Sequence, residues 1–203
     1  MTRPSFMIDI ETTGVDLKSD KILQIAMVAV KLSKSGYWTP LGEFNFYQHA
    51  DDQPSNPFAK KHMVEVYERS NKAEYIDPVE VRKMLLGFFE KYHGISPVHF
   101  LGWNAAGFDI PFLVRDKYLQ KSRYEKVDGE FSLVGDFHYR IYDIGSILQF
   151  VRDQMGIQRD VLTDVAQKIY PELPLPEGKE HDALYDCYKQ IRILNGLIKY
   201  MKR

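Results

Sequence analysis

Short apolar runs at the start of the chain predict three β-strands. Residues 6–10 form an apolar run that ends in charged positions, which is typical of a buried strand. Residues 21–32 are rich in Ile, Val, Leu and Ala, and residues 41–47 alternate roughly between apolar and polar positions. Because the connections between these runs are short, we expect the three strands to form a meander at the start of a mixed sheet.

The rest of the chain shows helical periodicity and one further strand. Residues 49–57 contain two Pro residues and are predicted to be a loop. Apolar side chains then recur at helical spacing in two long stripes. These stripes consist of Val81, Leu85, Phe88 and Phe89, and of Leu184, Tyr188, Ile191, Leu194, Ile198 and Met201. Between them we expect one strand and three shorter helices, at residues 98–101, 108–119, 144–151 and 161–169 respectively.

The order of these elements predicts an α/β fold. Pro111 requires the helix predicted at residues 108–119 to start late or to bend. A Pro-rich connection at residues 171–180 precedes the last helix. Strands come first, and strand and helices are then mixed, as in α/β proteins. A chain of 203 residues without a break in composition suits a single domain over residues 1–203.

The composition is that of an ordinary globular protein. Apolar residues make up 44% of the chain and charged residues 27%. The apolar stretches are too short to span a bilayer, and the N-terminus lacks the apolar core of a signal peptide. The single cysteine, Cys187, excludes an intrachain disulfide and favours a reducing compartment. We therefore expect a cytoplasmic protein without membrane partners, or one in the host cytoplasm if its source is a virus.

The charge of the chain leaves nucleic-acid chemistry open. A formal net charge of −1 argues against a protein that coats nucleic acid through a large basic surface. It does not argue against an enzyme that binds a few nucleotides, because carboxylates gathered at a metal site lower the net charge even when the substrate is an anion.

Asp9 and Glu11 form the first candidate motif, in the sequence MIDIETTG. Side chains two positions apart on a strand share a face, so both carboxylates lie at the end of the first predicted strand. They repel each other there unless a cation neutralises them, and oxygen ligands favour Mg²⁺ or Mn²⁺ over Zn²⁺. The structural alternative is a pair of surface acids at a strand end, with Gly14 making the turn.

Asp109 is the second candidate, in the sequence GWNAAGFDIPFL. Its carboxylate follows Phe108 and precedes an apolar run, where it needs a partner or a metal ion. The alternative is an acid at a helix start, stabilised by the helix macrodipole. Asn104 has the same alternative as a cap or turn residue.

His181 and Asp186 form the third candidate motif, in the sequence KEHDALYDCYKQ. Five residues on an ideal helix turn through ~500°, which leaves the two side chains ~140° apart. They converge only if His181 precedes the last helix and Asp186 lies in its first turns, with Asp182 as the N-cap. We assign Asp186 to metal binding and His181 to proton transfer; the alternative for His181 is an exposed loop histidine.

Taken in this order, the three motifs resemble those of the DEDD exonuclease superfamily, in the DnaQ-like branch (DEDDh) that has His in its third motif. The similarity extends from Asp9 to the last helix. It implies an RNase H-like fold, with a mixed five-stranded sheet flanked by helices. It implies 3′–5′ hydrolysis of single-stranded RNA or DNA to 5′-mononucleotides. Because homodimers are common among proteins of this superfamily, the resemblance also implies a homodimer as a possible partner state, besides the nucleic-acid substrate.

The resemblance also implies a role for each motif residue. The four acids Asp9, Glu11, Asp109 and Asp186 correspond to the family's ligands for two Mg²⁺ ions, for which Mn²⁺ can substitute. Two such cations clamp the attacking water and the leaving oxygen of an in-line displacement. His181 corresponds to the general base, and a free imidazole, with a pKa near ~6.5, is mostly neutral at neutral pH.

The branch of the superfamily stays open. Residues 138–147, HYRIYDIGSI, resemble the corresponding segment of oligoribonucleases, whereas DIETTG is closer to the proofreading epsilon type. RNase T shares the three motifs as well. Asp143 is assigned to capping of the helix that follows it and not to the site. Trp103, Phe108, Phe112 and Tyr47 could stack on bases, but core packing is expected for most aromatic residues.

Three rival functions remain on the sequence alone. A polymerase-associated proofreading subunit keeps the same chemistry, although the chain shows no long extension after its last motif. A catalytically silent nucleic-acid-binding module is disfavoured because all five motif residues are present. A metal-dependent phosphoesterase with no nucleic-acid substrate requires three ordered motifs to coincide by chance.

Overall fold

A five-stranded mixed sheet forms the centre of the molecule. The computed structural model describes residues 4–51, 54–55, 57–94, 97–127, 130–156 and 159–202. The strands of the sheet are β1 (Ser5–Thr12), β2 (Ile22–Leu32), β3 (Trp38–Tyr47), β4 (Phe100–Gly102) and β7 (Tyr142–Asp143). Their spatial order is β3-β2-β1-β4-β7. The first three strands are antiparallel neighbours, and β4 and β7 add in parallel, so the predicted meander and the mixed sheet are confirmed.

Seven helices and a separate hairpin complete the described part of the chain. The helices are α1 (Pro57–His62), α2 (Val64–Lys72), α3 (Pro78–His93), α4 (Asp109–Arg115), α5 (Ile144–Met155), α6 (Arg159–Ile169) and α7 (Ala183–Met201). Strands β5 (Arg123–Val127) and β6 (Glu130–Val134) pair only with each other. No helix among the residues described is both long enough and apolar enough to cross a membrane.

The two faces of the sheet bury separate cores. In β1, the even-numbered residues Phe6, Ile8 and Ile10 pack with residues of α3 and α4. The odd-numbered Met7 belongs to the core formed with α5, α6 and α7. Since side chains alternate along a strand, Asp9 follows Met7 onto the face covered by α7. The alternation of side chains along β1 therefore places Asp9 on the same side of the sheet as α7, which carries Asp186 of the third motif.

Most predicted elements are present, with differences that have local causes. Helix α4 begins at Asp109, and Pro111 lies in its first turn, where a missing N–H costs nothing because those donors have no partner within the helix. Helices α1 and α2, which follow the predicted loop, and the β5–β6 hairpin were not predicted. Strand β7 was not predicted either, because two residues are too short to show a period.

Candidate active site

Asp9 and Glu11 lie at the carboxyl end of the central strand. Glu11 is 8% exposed, and Asp9 is partly buried between buried neighbours. The Gln190 amide nitrogen on α7 donates a hydrogen bond of 2.9 Å to Oδ1 of Asp9. The alternative of two solvated surface acids is therefore wrong for this pair.

Asp109 reaches β1 from the start of α4. Strand β4 ends at Gly102, so the edge of β1 beyond it is not covered by a strand partner. The Ile10 N–H on that edge donates to Oδ1 of Asp109 at 2.8 Å. The Asp109 side chain is buried, at 3% exposure, and its carboxylate is aimed at the backbone between the two acids of β1. A macrodipole role alone does not account for this placement.

The third motif has the local structure that its spacing predicts. Asp182 is the N-cap of α7, and its carboxylate accepts from the N–H groups of Leu184 and Tyr185. His181 precedes the helix with φ of 69°, in the left-handed region. Its backbone N–H donates to Oδ2 of Asp186 at 2.9 Å, which fixes this carboxylate in the first turn of α7. The predictions for the local structure around Asp182, His181 and Asp186 are confirmed.

The fold brings the three motifs together. Glu11, His181 and Asp186 each offer a ligand atom, and these atoms all lie within 4.8 Å of one another. Asp9 and Asp109 belong to the same electrostatic cluster, since the charges of Asp109, Glu11 and Asp186 all act on Asp9. All five residues singled out in the sequence thus converge, although they are spread over 178 positions from Asp9 to Asp186 when both ends are counted.

Burial raises the pKa of every acid in this cluster. The pKa values of Asp9 and Glu11 lie well above their usual range, first because of burial and then because of the neighbouring carboxylates. Burial raises the pKa of Asp109 to about 7, against the lowering effect of the Ile10 N–H. Burial also raises the pKa of Asp186, and the His181 N–H opposes this change. The cluster is thus destabilised when all four acids are ionised and no cation is bound.

The donor set fits divalent cations. Four carboxylates supply hard oxygen ligands, which Mg²⁺ and Mn²⁺ prefer, and a bound cation removes the repulsion that raises their pKa values. A cavity of about 280 Å³ beside Asp9 and Asp186 is also lined by Trp103 and Gln190. The His181 ring lies close enough to Glu11 and Asp186 to act either as a ligand or as a base.

Two aromatic residues of α1 contact the His181 ring. The ring centroids of Phe58 and His62 lie 5.0 and 5.5 Å from that of His181, both in edge-on orientations. Phe58 stacks on His62 and is 55% exposed. A groove of about 480 Å³ is lined by residues that include His62, His181 and Tyr185. The site is therefore open to solvent next to His181, the histidine of the third motif.

Several residues near the site were not predicted. Gln190 lies one helical turn after Asp186, and this spacing is the one sequence signal that could have identified it. Phe58 and His62 carry no such signal, because their contact with His181 depends on how α1 packs. Asp143 caps α5 through the Ser146 N–H, as predicted, and its charge also raises the pKa of Asp109.

The other candidates have structural roles. Asn104 has φ of 55° and makes a turn, in which its carbonyl accepts from Gly107 and Phe108. Phe112 is buried in the core, as expected for most aromatic residues. The Tyr47 hydroxyl is bonded within the protein, since it donates to Asp182 at 3.2 Å and accepts from Arg69 at 2.9 Å.

Similar sequences carry the name oligoribonuclease. The chain is 27% identical over 193 residues to oligoribonucleases of Mycobacterium bovis and Mycobacterium tuberculosis, covering 92% of this chain and 76% of each relative. The oligoribonuclease of Mycobacterium avium matches to the same extent.

Solved structures with the same fold include those of E. coli exonuclease I. The zinc-bound ExoI–ssDNA complex matches with a TM-score of 0.63 at 16% identity, and a complex with a dA16 oligonucleotide matches with a TM-score of 0.56. The matches cover 100% and 98% of this chain but only 42% and 41% of the two ExoI chains. The chain thus spans about two fifths of the length of these proteins, and at this identity the likeness concerns the fold.

A match to the sequence model of a protein family shows to which family the chain belongs. The model described as exonuclease, of the RNase T type, matches residues 6–194, and this range contains all three motifs from Asp9 to Asp186. Since the match covers most of the chain and agrees with both the mixed sheet and the similar sequences, the chain belongs to the RNase T-type exonuclease family.

Proposed function

We propose that this protein is a metal-dependent exonuclease that removes 5′-mononucleotides from the 3′ end of single-stranded nucleic acid, within one domain that spans residues 1–203. The observation that carries the proposal is the convergence of four acids with raised pKa values and one histidine at the end of β1. Neither an acid nor the histidine of the three motifs is missing, which favours an enzyme over a silent binding module.

The four acids would hold two Mg²⁺ ions. Asp9 and Glu11 come from β1, Asp109 from α4 and Asp186 from α7, so cation binding draws three elements together. When bound, the cations supply positive charge to the scissile phosphate, the attacking water and the leaving oxygen. Gln190 orients the Asp9 carboxylate, and the Ile10 N–H orients that of Asp109.

His181 would act as the general base. Its ring takes a proton from the attacking water while the water oxygen forms its bond to phosphorus. The bond from phosphorus to the 3′ oxygen of the preceding nucleotide breaks, and that oxygen takes its proton from solvent. A 5′-mononucleotide and a chain with a new 3′-hydroxyl result. Because His181 lies beside an open groove, its ring can return the proton to water after each cycle.

The end specificity would come from the segment after β1. Thr13 accepts a hydrogen bond of 2.7 Å from the Ser55 N–H, and this contact places the segment next to the start of α1. Val15 is 76% exposed and Phe58 is 55% exposed. These two apolar side chains would contact the terminal nucleotide, leaving no path for the strand to continue past the site.

A panel of oligonucleotides tests the proposal. Single-stranded RNA and DNA, from dinucleotides to long oligomers with a 5′ label, should shorten one nucleotide at a time in Mg²⁺ and stay intact in EDTA. A 3′-phosphate should block cleavage, because it adds negative charge beside the acids. Full hydrolysis without metal, or cuts in a circular strand, would contradict the proposal. The panel also decides between RNA, suggested by the names of the similar sequences, and DNA, present in the ExoI complexes.

A further inference from the structure

The turn that carries His181 has a backbone conformation that its own sequence does not favour. His181 has φ of 69°, where a side chain with a Cβ is disfavoured relative to glycine. Its ring is half-buried, and the preceding segment contains Gly178, also with positive φ. Contacts from elsewhere in the fold must hold this turn in place.

In the described part of the chain, five donors reach the carboxylate of Asp182, the next residue. Its carboxylate caps α7 through the N–H groups of Leu184 and Tyr185, at 3.1 and 3.3 Å. Within the part of the chain that the structure describes, three more donors reach it from other elements. They are Gln24 Nε2 at 3.3 Å, the Tyr47 hydroxyl at 3.2 Å and Arg69 Nη1 at 3.0 Å. Arg69 is the one cation among these five donors, and it also donates to the Tyr47 hydroxyl at 2.9 Å.

Helix α2 contacts the turn on both sides of His181. Glu65 and Arg69 are four residues apart, so their side chains lie on one face of α2. Glu65 pairs with Lys179 at 2.6 Å, and Arg69 pairs with Asp182 at 3.0 Å. We call these two ion pairs the α2 clamp. The clamp has opposite charges at its two ends, so it also fixes the direction in which the turn lies across α2.

The two halves of the clamp differ in burial. The Asp182 side chain is 10% exposed and that of its partner Arg69 is 52% exposed, whereas those of Lys179 and Glu65 are 58% and 56% exposed. The two halves therefore differ in the burial of the carboxylate. An ion pair between exposed side chains is screened by water and contributes little, whereas a buried carboxylate that loses its cation is strongly disfavoured. Arg69 is therefore the residue of the clamp on which the turn depends most.

The position of the turn decides where the His181 ring lies. The ring contacts Phe58 and His62 of α1, which directly precedes α2. Helix α1 thus contacts the His181 ring with two aromatic side chains, and α2 pairs with the side chains of Lys179 and Asp182 on either side of His181. A shift of the turn by about 1 Å would move the base away from the attacking water, and a misplacement of this size costs on the order of 100-fold in rate.

We propose that Arg69 is a positioning residue for the exonuclease reaction, which acts through Asp182 to hold His181 where it can take the proton of the attacking water. The inference rests on the proposed function of His181. Among the residues described, the Arg69 guanidinium donates to the Tyr47 hydroxyl and to Asp182, and to none of the four acids. Tyr47 supports it by accepting from Arg69 and donating to Asp182.

The test is Arg69→Met in two backgrounds, the wild-type protein and His181→Ala. In the wild-type background, kcat should fall by about 10- to 100-fold, as for other residues that orient a functional side chain, while KM and Mg²⁺ affinity stay near the wild-type values. In the His181→Ala background the same change should have no further effect, because there is no base left to position. An equal loss in both backgrounds, or no loss in the wild-type background, would overturn the proposal.

Two further variants separate positioning from loss of stability. Arg82→Met is the matched control, since Arg82 forms a bidentate pair at 2.9 Å with the buried Asp136. The Asp136 carbonyl accepts from the N–H of Val98, just before β4, which lies beside the amino end of β1 and not its carboxyl end. It should lower the melting temperature but leave kcat unchanged. Arg69→Lys keeps the cation and should recover most of the rate. Arg69→Lys behaving as poorly as Arg69→Met, with equal stability, would count against positioning through charge.

A measurement without turnover keeps the inference distinct from the proposed function. The His181 ring proton resonance, assigned by its disappearance in His181→Ala, should be shifted by the neighbouring rings of Phe58 and His62. In Arg69→Met it should move toward the free-histidine position, and in Arg82→Met it should not. An unchanged resonance in Arg69→Met would refute the clamp. If the wild type degrades no oligonucleotide, the exonuclease proposal fails while this resonance still tests the clamp.

Discussion

The acids of β1 and the base of the third motif are held in opposite ways. Asp9 and Glu11 lie on a central strand, which pairs with β2 along its whole length and with β4 over its first half. His181 lies in a turn outside any regular element, with a left-handed backbone. The strand holds the acids through backbone hydrogen bonds, whereas side chains from β2, β3 and α2 hold the turn.

This difference matches the different requirements of the acids and of His181. The acids repel one another, and the pairing of β1 with β2 along its whole length keeps Asp9 and Glu11 in place until cations bind. The base must release and take a proton and needs contact with solvent, so it lies at the edge of a groove. Substitutions near β1 should therefore affect metal binding first, and substitutions near the turn should affect the rate while metal binding is kept.

The largest loss is expected for Asp9→Ala. It removes a carboxylate from the centre of the cluster and leaves Gln190 without its acceptor. Turnover should fall to background, and calorimetry should show that Mg²⁺ and Mn²⁺ affinity is largely lost. Glu80→Gln, which changes an exposed acid in an ion pair with Lys83 on α3, is the control and should behave as the wild type. Wild-type metal affinity in Asp9→Ala would remove this residue from the ligand set.

A smaller loss, in a different quantity, is expected for His181→Ala. The rate should fall by roughly 10²- to 10⁴-fold, the usual contribution of a general base, while metal affinity stays near the wild-type value. The structure makes this a sharp test, because a His181 ring nitrogen lies within 4.8 Å of ligand atoms of Glu11 and Asp186. Loss of metal binding as severe as in Asp9→Ala would make His181 a ligand instead of a base.

The motif residues could be predicted because their positions follow from local rules. The period of a strand places Asp9 and Glu11 at one end of β1, and an N-cap at Asp182 places His181 before α7 and Asp186 in its first turn. These rules need only a few neighbouring residues. The first three strands of the sheet followed in the same way, from apolar runs long enough to show a period, whereas the two residues of β7 were too few.

The surroundings of the base could not be predicted, because they depend on residues far apart in the chain. Arg69 and Asp182 are separated by 113 positions, and Gln24 and Asp182 by 158. Nothing in the sequence around Arg69 distinguishes it from a solvated arginine on a helix. Helix α1 has six residues, too few for a helical period to emerge, so Phe58 and His62 could not be placed beside His181.

Gln190→Met should have an intermediate effect on metal binding. The methionine side chain has a similar size but cannot donate to Asp9, so the carboxylate loses the bond that orients it. Mg²⁺ affinity should fall by about tenfold, and kcat at saturating Mg²⁺ should change less. Gln190 Oε1 is buried and accepts no hydrogen bond within the described part of the chain, so removal of this atom should not lower stability. An unchanged Mg²⁺ affinity would show that Asp9 needs no such support.

The stability of the metal-free protein should fall as pH rises. A carboxyl whose pKa is higher in the folded than in the unfolded state binds more protons when folded, so it stabilises the fold at low pH. That contribution is complete below the unfolded pKa, near ~4, and is lost as pH rises through the folded value, which is about 7 for Asp109. Asp9, Glu11 and Asp186 shift in the same direction.

Thermal denaturation in EDTA and in Mg²⁺ measures this effect. The melting temperature in EDTA should be a few degrees lower at pH 8 than at pH 5, and Mg²⁺ should restore it at pH 8 with little effect at pH 5. Asp109→Asn should flatten the curve in EDTA, because it removes one of the shifted carboxyls. A melting temperature in EDTA that rises over this range would contradict the raised pKa values.

The smallest effect is expected for Glu65→Gln, in the exposed half of the α2 clamp. Glu65 and Lys179 are both more than half exposed, so water and salt screen their attraction, and kcat should change by less than about twofold. Arg69→Met changes the half of the clamp that contains the buried Asp182, so the two variants together compare contacts to an exposed and to a buried side chain on the same turn.

Measurement of kcat at low and high salt sharpens this comparison. The Glu65→Gln difference should vanish at high salt, whereas the Arg69→Met loss should persist. A loss in Glu65→Gln as large as that in Arg69→Met would mean that both ends of the clamp must be closed for the base to work, and that burial does not decide which end matters.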